Sequence, residues 1–496
     1  MNYNMARYVL GQLALILATC LLLPFVIALV NMESGTPIAF GSVILGLIAV
    51  GVPNAIIKPK NRQLRPRCGI AIVALSWLGI SIIGALPFFI SGYIPDFIDA
   101  LFETVSGLTT TGSSILTNIE ALPNSLLLWR SFTHWIGGMG VLVLAIALLP
   151  KNDPATVHLM KAEVPGPQFG KLVSKLRFTA RILYSIYIVL TLLNIIALLL
   201  CGLNLFDSVI HALGAAGTGG FSNKNLSVAH FDSVAVDIVL TVFMMIFSIN
   251  FNLFYFVLIG NIKDAIKSEE LRVLLTIFLV SVIAITISLV INNVYTIWDS
   301  LRYGSFQVSA VISTTGYATA DWSTWPTFCQ AILFILMFIG GSAGSTAGGL
   351  KVYRVVILSK LGFNAIKKTF SPRSYLTERM DGKAVDENLV KSITGYFMTY
   401  VITFLCSFLL LSLVSGEIEG GILTNLSAVT TCFNNVGPGL GSLIGPAGNF
   451  ASYNPISKII LIMDMLLGRL EIFPMLILFT PLAWKKMKTD CVEQNA

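Results

Sequence analysis

The chain is 496 residues long, 55% hydrophobic and only 11% charged, with a formal net charge of +7 and a mean hydropathy of +0.82. A soluble protein carries roughly 25% charged residues, so this composition excludes a soluble globular fold, a disordered chain, a coiled coil and a disulfide-stapled domain. The basic excess does not point to nucleic acid, because Lys and Arg lie between apolar blocks rather than on one soluble face; the class that remains is an integral membrane protein.

A membrane helix needs about 20 apolar residues to bridge a ~30 Å hydrocarbon core. Ten segments reach or approach that length, about 8–30, 37–57, 69–92, 125–150, 179–203, 234–262, 271–295, 327–359, 388–415 and 454–484. The first, Tyr8–Val30, is followed by no small-residue cleavage site and is expected to be retained as a span. Four half-apolar stretches between them, 97–118, 205–222, 297–318 and 420–440, are too short to cross and end in Gly-, Thr- or Asn-rich turns. Lipid would leave the backbone groups of such turns without partners, so these segments are expected to be re-entrant and enclosed by protein.

With the N-terminus inside, 27 of the 32 Lys and Arg fall on the cytoplasmic side, in Arg7, 58–67, 151–181, 263–272, 351–383, Lys391 and 485–488. Asp96, Asp99, Glu103, Asp207, Asp299 and further acids fall on the outer side. Asp96, Asp99 and Asp299 are either a cation-concentrating rim or ordinary solvated loop residues. The four His, His134, His158, His211 and His230, have no i,i+4 pairing, and the seven Cys have no CxxC spacing; neither set reads as a metal site. Arg130 and His134 share one helix face and read as structural, with pore-helix acids as possible partners of the pair.

After the first two spans, the order helix, re-entrant half-helix, helix recurs four times. The closing turns align as Thr109-Thr110-Thr111-Gly112-Ser113, Gly217-Thr218-Gly219-Gly220-Phe221, Ser313-Thr314-Thr315-Gly316-Tyr317 and Asn434-Asn435-Val436-Gly437-Pro438. One such turn is compatible with close helix packing; four at matching places suit a ring of backbone carbonyls that replaces the water shell of a monovalent cation. The candidate ion-binding residues are Thr110, Thr111, Gly112, Thr218, Gly219, Gly220, Thr314, Thr315, Gly316, Asn435, Val436 and Gly437. Gly suits a turn whose backbone conformation a β-carbon disfavours, and each half-helix would aim its partly negative C-terminus at the ion. Extra glycines in the second turn and asparagines in the fourth leave the carbonyl register of those two open.

Two features lie below the turns. The run Gly340-Gly341-Ser342-Ala343-Gly344-Ser345-Thr346-Ala347-Gly348-Gly349 carries five Gly and cannot continue a helix cheaply, at ~1 kcal/mol per Gly relative to Ala. It lacks a phosphate-loop match and is either an intramembrane gate or a small-residue packing surface. Arg469 sits near the middle of the last span, where a charge costs ~2.5–3.5 kcal/mol on insertion scales. It either faces the ion path or forms a buried pair with Asp464 or Glu471. The basic segments 151–178 and 360–388 suit an anionic leaflet, a soluble regulator or plain solvent equally.

These turns, with Trp135-Ile136-Gly137-Gly138-Met139-Gly140 and Gly468-Arg469-Leu470-Glu471, resemble the Trk/Ktr/HKT potassium-transport superfamily, and the two extra N-terminal spans resemble its bacterial TrkH branch. The resemblance implies an all-α polytopic fold with four helix–pore-loop–helix repeats around a pseudo-fourfold, potassium-channel-like pore. The N-terminal pair would occupy 1–60 and the repeats 61–155, 156–265, 266–365 and 366–496. It further implies K⁺ as transported ion without an organic cofactor, a homodimer, a cytosolic TrkA-type nucleotide-binding subunit, and a bacterial inner-membrane location with both termini cytoplasmic. In this superfamily Ser at the first filter accompanies sodium transport, so Gly112 favours potassium. The resemblance also supports 340–349 as gate and Arg469 in the ion path. The alternative is a carrier coupling K⁺ or Na⁺ to H⁺ or Na⁺, although carriers favour two inverted halves. An enzyme is not expected, since no catalytic cluster sits at plausible depth.

Overall fold

The computed structural model describes residues 3–57, 66–140, 176–373 and 377–478. These are almost wholly helical; one short hairpin pairs Arg379–Met380 with Lys383–Ala384. The chain opens with two long helices, Tyr3–Val30 and Thr36–Ile56. They touch closely where glycine removes the side chain: a Cβ on Gly11 would lie 2.7 Å from Asn54 Cβ, and one on Gly51 would lie 3.0 Å from Leu15.

One order then recurs four times: leading helix, pore helix, extended turn, trailing helix. The leading helices are Pro66–Ile90, Leu176–Leu200, Glu269–Ile291 and Glu387–Val414, of 23 to 28 residues. At 1.5 Å per residue each exceeds the ~30 Å core. Their outward residues, such as Leu192, Ile283 and Leu409, are exposed aliphatics that suit lipid. The pore helices are Phe97–Leu108, Leu205–Gly217, Ile297–Ile312 and Gly421–Asn434. At 12 to 16 residues they are too short to cross. Three begin on a side-chain cap, Asp96, Asn204 or Thr296, that accepts from the first-turn amides.

The trailing helices differ from the sequence expectation of uninterrupted spans. They are Asn124–Gly138, Val234–Ser248, Thr327–Ile339 and Pro455–Arg469, and all four stop after 13 to 15 residues. The expected break at 340–349 is therefore one of four. In the second repeat the chain turns by 92° at Ile249-Asn250 before Phe251–Leu258. The third resumes as Val352–Phe370 and the fourth as Phe473–Leu478. In the first, Gly140 has φ +81°, and the remainder of the expected span, 141–150, lies outside the described residues. Only the break richest in glycine is evident from the sequence. The others are made by Gly137-Gly138 followed by Gly140, by the N-capping Asn250, and by Glu471 and Ile472 at φ 56° and 61°. The result is an all-α polytopic membrane protein whose irregular backbone gathers in the interior.

Candidate ion-conduction site

Each pore helix closes in the same way. In its turn one amide reaches back three residues and the next reaches back five, the paired bonds of a Schellman ending. The five-back bonds run from Thr111 N–H to Ser106 O (2.8 Å), Gly219 to Gly214 (2.9 Å), Thr315 to Ala310 (2.8 Å) and Val436 to Thr431 (2.9 Å). The residue before each donor is left-handed: Thr110 at φ 56°, Thr218 at 55°, Thr314 at 55° and Asn435 at 55°. Two residues later comes a glycine with positive φ: Gly112, Gly220, Gly316 and Gly437. The second and fourth turns, whose composition differs, therefore share one backbone with the first and third.

The four turns close a ring. A Cβ on Gly112 would collide with the carbonyl of Gly219, one on Gly220 with that of Thr315, one on Gly316 with that of Val436, and one on Gly437 with that of Thr111, at 2.8 Å. Each glycine thus abuts the carbonyl of the residue preceding the glycine of the next turn, in cyclic order. Thr110, Thr111, Thr218, Thr314, Thr315, Asn435 and Val436 are fully buried. Yet no donor among the described residues reaches the carbonyl oxygens of 110–111, 218–219, 314–315 or 435–436. Buried carbonyls are paired in the great majority of cases, so a ring of bare ones is suited to holding a dehydrated cation.

Side chains bolt three of the four seams of this ring. Between the first and second turns, His134 bridges Gly107 O (2.7 Å) and Phe221 N–H (3.2 Å), and Arg130 donates to Ser222 O (2.7 Å). Between the second and third, the Tyr317 hydroxyl donates to His211 O and Phe221 O. Between the fourth and first, Asn435 donates to the Thr111 hydroxyl (2.9 Å) and Ser113 to Gly437 O (3.0 Å). Between the third and fourth, no side-chain hydrogen bond joins the two turns among the described residues. There the glycine-rich segment takes over: Gly348 N–H donates to the Thr314 hydroxyl (2.6 Å) and Gly349 N–H to Asn434 O (3.1 Å).

The breaks in all four trailing helices surround one cavity, lined by Gly138–Gly140, Phe251, Gly344–Ser345, Ala347–Gly349, Lys351 and Gly468–Glu471. Here helix-end carbonyls need donors from elsewhere. Arg469 supplies them for the first repeat, donating to Gly137 O (2.5 Å) and Gly138 O (2.6 Å), and it also reaches Thr346 O (2.8 Å) and the Thr110 hydroxyl (3.2 Å). Its positive head at that helix C-terminus is favoured by the macrodipole. The segment 340–349 serves the second repeat: Ser342 N–H donates to Ser248 O (2.9 Å) and the Thr346 hydroxyl to Phe247 O (3.1 Å). Of the acids weighed as partners for Arg469, Asp464 accepts from Ser407 (2.6 Å) and Glu471 pairs with Arg354. Arg469 thus links the first turn, a broken helix and the glycine-rich segment.

The outer acids have local tasks. Asp96 caps the first pore helix, Asp99 pairs with Lys458 (2.5 Å), and Asp299 exchanges hydrogen bonds with Thr296. Arg130 pairs with Glu103 of the first pore helix at 2.5 Å, both fully buried, and its guanidinium lies 3.7 Å over the Phe221 ring. Glu103 also accepts from the Ser114 hydroxyl and Ile115 N–H, so it fixes the irregular segment that leaves the first turn. Arg130 and His134 share one helix face, as their i,i+4 spacing implies, and Glu103, one of several pore-helix acids in the sequence, is the partner of Arg130. Replacing Arg130 with Met leaves a buried carboxylate unpaired and is expected to destabilise the protein by about 3–5 kcal/mol. Thermal unfolding in detergent should show this, with Glu103→Met/Arg130→Met recovering part of the loss.

Comparison with known proteins places this geometry in a family. The family model described as TrkH, a cation transport protein, matches residues 37–487. The Trk system potassium uptake protein TrkH of Salmonella typhimurium is 34% identical over 98% of this chain and 100% of its own length, and the Trk system potassium uptake protein TrkG of Escherichia coli K12 is 33% identical over 98% and 99%. The crystal structure of the potassium transporter TrkH from Vibrio parahaemolyticus superposes with a TM-score of 0.87 at 32% identity, over 98% of this chain and all of the other. These relatives are named as transporters rather than enzymes, and the chain belongs to the TrkH family of cation transport proteins.

Proposed function

We propose that this chain takes up potassium ions across the bacterial inner membrane, N- and C-termini inside, by letting dehydrated K⁺ pass through the ring formed at 110–112, 218–220, 314–316 and 435–437. The observation that carries the reading is the ring of buried carbonyls without hydrogen-bond donors, closed by four glycines with no room for a β-carbon. Such oxygens suit a weakly hydrated monovalent cation. The printed names of the relatives, potassium uptake proteins, agree with K⁺ as cargo. No organic cofactor is required. The segment 340–349 acts as an intramembrane gate: it lines the cavity beside the ring and is tethered by hydrogen bonds to Thr314, Ser248 and Arg469. Arg469 adds a positive charge that limits cation occupancy there and helps ions leave. A homodimer under control of a cytosolic TrkA-type nucleotide-binding subunit follows from the family resemblance and belongs to the same proposal.

Flux of K⁺, Rb⁺ and Na⁺ in proteoliposomes, with and without a pH gradient, tests the reading directly. Downhill K⁺ and Rb⁺ flux that ignores the pH gradient supports a channel, whereas strict dependence on protons supports a coupled carrier. In the same assay Gly112→Ser should lower discrimination of K⁺ over Na⁺, because its β-carbon would meet the Gly219 carbonyl and widen the ring; unchanged selectivity would contradict the filter register. Arg469→Ala should give a folded but leakier protein, with Arg469→Lys between the two, since an ammonium lacks the fork that reaches several acceptors at once. Loss of folding instead of leak would assign Arg469 a structural role alone. Deleting 342–347 should likewise raise flux.

A further inference from the structure

Glu269 and Glu270 open the third leading helix and point to different neighbours. Glu270 is 7% exposed and accepts from the backbone N–H of Ala343, inside the glycine-rich segment, at 2.7 Å. Glu269 faces the hairpin at 379–384: its own N–H donates to Asp381 Oδ1 at 2.7 Å, and its carboxylate accepts from Asp381 N–H at 3.3 Å. Lys360 completes the junction by bonding both Glu269 and the Arg379 carbonyl, the latter at 2.6 Å. A second, apolar connection runs parallel. Ala343 shares a buried cluster with Tyr353, Ile357 and Ile393, and Met380 and Val385, within and beside the hairpin, pack against it. The hairpin is otherwise exposed, with Gly382 at φ +76° forming its tip.

We infer that Glu270 is a positioning residue that latches the segment 340–349, and that Glu269 with Asp381 makes the exposed hairpin the handle of that latch. The physical case rests on where the bond falls: Ala343 lies between the segment's backbone ties to the second repeat, Ser342 N–H to Ser248 O and Phe251 N–H to Gly344 O, and its own amide is held by Glu270. A glycine-rich stretch has a large conformational entropy to lose, and Ala343 has no side-chain hydrogen bond of its own to oppose it. A buried carboxylate accepting a backbone N–H is one of the stronger single contacts available. Because Glu269 and Glu270 are adjacent on one helix turn, a displacement of the hairpin is transmitted to the latch without a flexible linker. The apolar cluster ties the same two elements, so both would have to part together. A load applied to the hairpin from the cytoplasmic side would therefore release Ala343. The inference extends the gate reading given above and rests on it only for the effect on ion flux.

Amide hydrogen exchange over 341–347 and Rb⁺ flux, measured on the full-length protein in nanodiscs and in liposomes, separate the two. Glu270→Ala should raise exchange by about ten-fold or more, the scale of losing one hydrogen bond to a charged acceptor, and should raise flux several-fold. Glu270→Gln retains an acceptor oxygen and should bring exchange back to within about three-fold of the parent, as expected for a neutral acceptor in place of a charged one. Asp381→Ala, on the exposed hairpin, should raise both readouts in the same direction by a smaller factor, and decides the matter if Glu270→Ala does not fold. Unchanged exchange in Glu270→Ala, or in Asp381→Ala where that variant stands in for it, overturns the latch. Raised exchange with unchanged flux upholds the latch and overturns the segment's role as ion barrier.

Discussion

The structure depends on one constraint: four chain reversals must sit within the membrane without leaving backbone groups against lipid. Each pore helix solves half of the problem by a Schellman ending that uses its own amides. The carbonyls that remain are turned toward their neighbours, and the glycines allow the turns to approach until each would clash with any β-carbon. Burial of the reversal and construction of a carbonyl ring are thus the same event. The surrounding leading helices, with exposed aliphatic faces, keep lipid away from it.

The same constraint governs the trailing helices. Each stops beside the ring and exposes C-terminal carbonyls, and for the first two the donors come from other repeats: Arg469 of the fourth serves the first, and the glycine-rich segment of the third serves the second, whereas Leu350 and Ile472 amides cover the third and fourth from within their own repeats. The interior is consequently held by long-range hydrogen bonds rather than by continuous helices. Besides its bonds to Arg469 and Glu270, the segment 340–349 performs two tasks of different kinds. It joins the third and fourth turns, where no side-chain hydrogen bond does so among the described residues, and it covers a helix end. If it moves as the proposed gate, the ring loses its stitches at that seam, so passage and selectivity are physically coupled.

Much of this was legible in the sequence. Composition identified the membrane class, apolar runs of about 20 residues located the leading helices, and the recurring Gly-, Thr- or Asn-rich turns marked the reversals. Register in the second and fourth turns was not legible, because Gly217-Thr218-Gly219-Gly220 offers several glycines and Asn435 no threonine. Only φ values and the five-back hydrogen bond distinguish the aligned residue. The breaks at Ser248 and Arg469 were hidden for a different reason. Each lies in a stretch whose overall hydropathy suits a span, and what interrupts it is a single cap or turn, Asn250 in one case and Glu471-Ile472 at positive φ in the other, that carries no glycine to mark it. Glu103 and Glu270 read as one acid among many, since burial and partner are properties of the assembled helices.

On this reading the four bare carbonyl sets form one cation-binding ring. Anomalous diffraction from crystals soaked in Rb⁺ or Tl⁺ tests it most directly. Density is expected on the axis between the turns, shared among the carbonyls of Thr111, Gly219, Thr315 and Val436 and lost when Na⁺ replaces the heavier ions. Density confined to one turn, or absent from the axis while present at the outer acids, would contradict it.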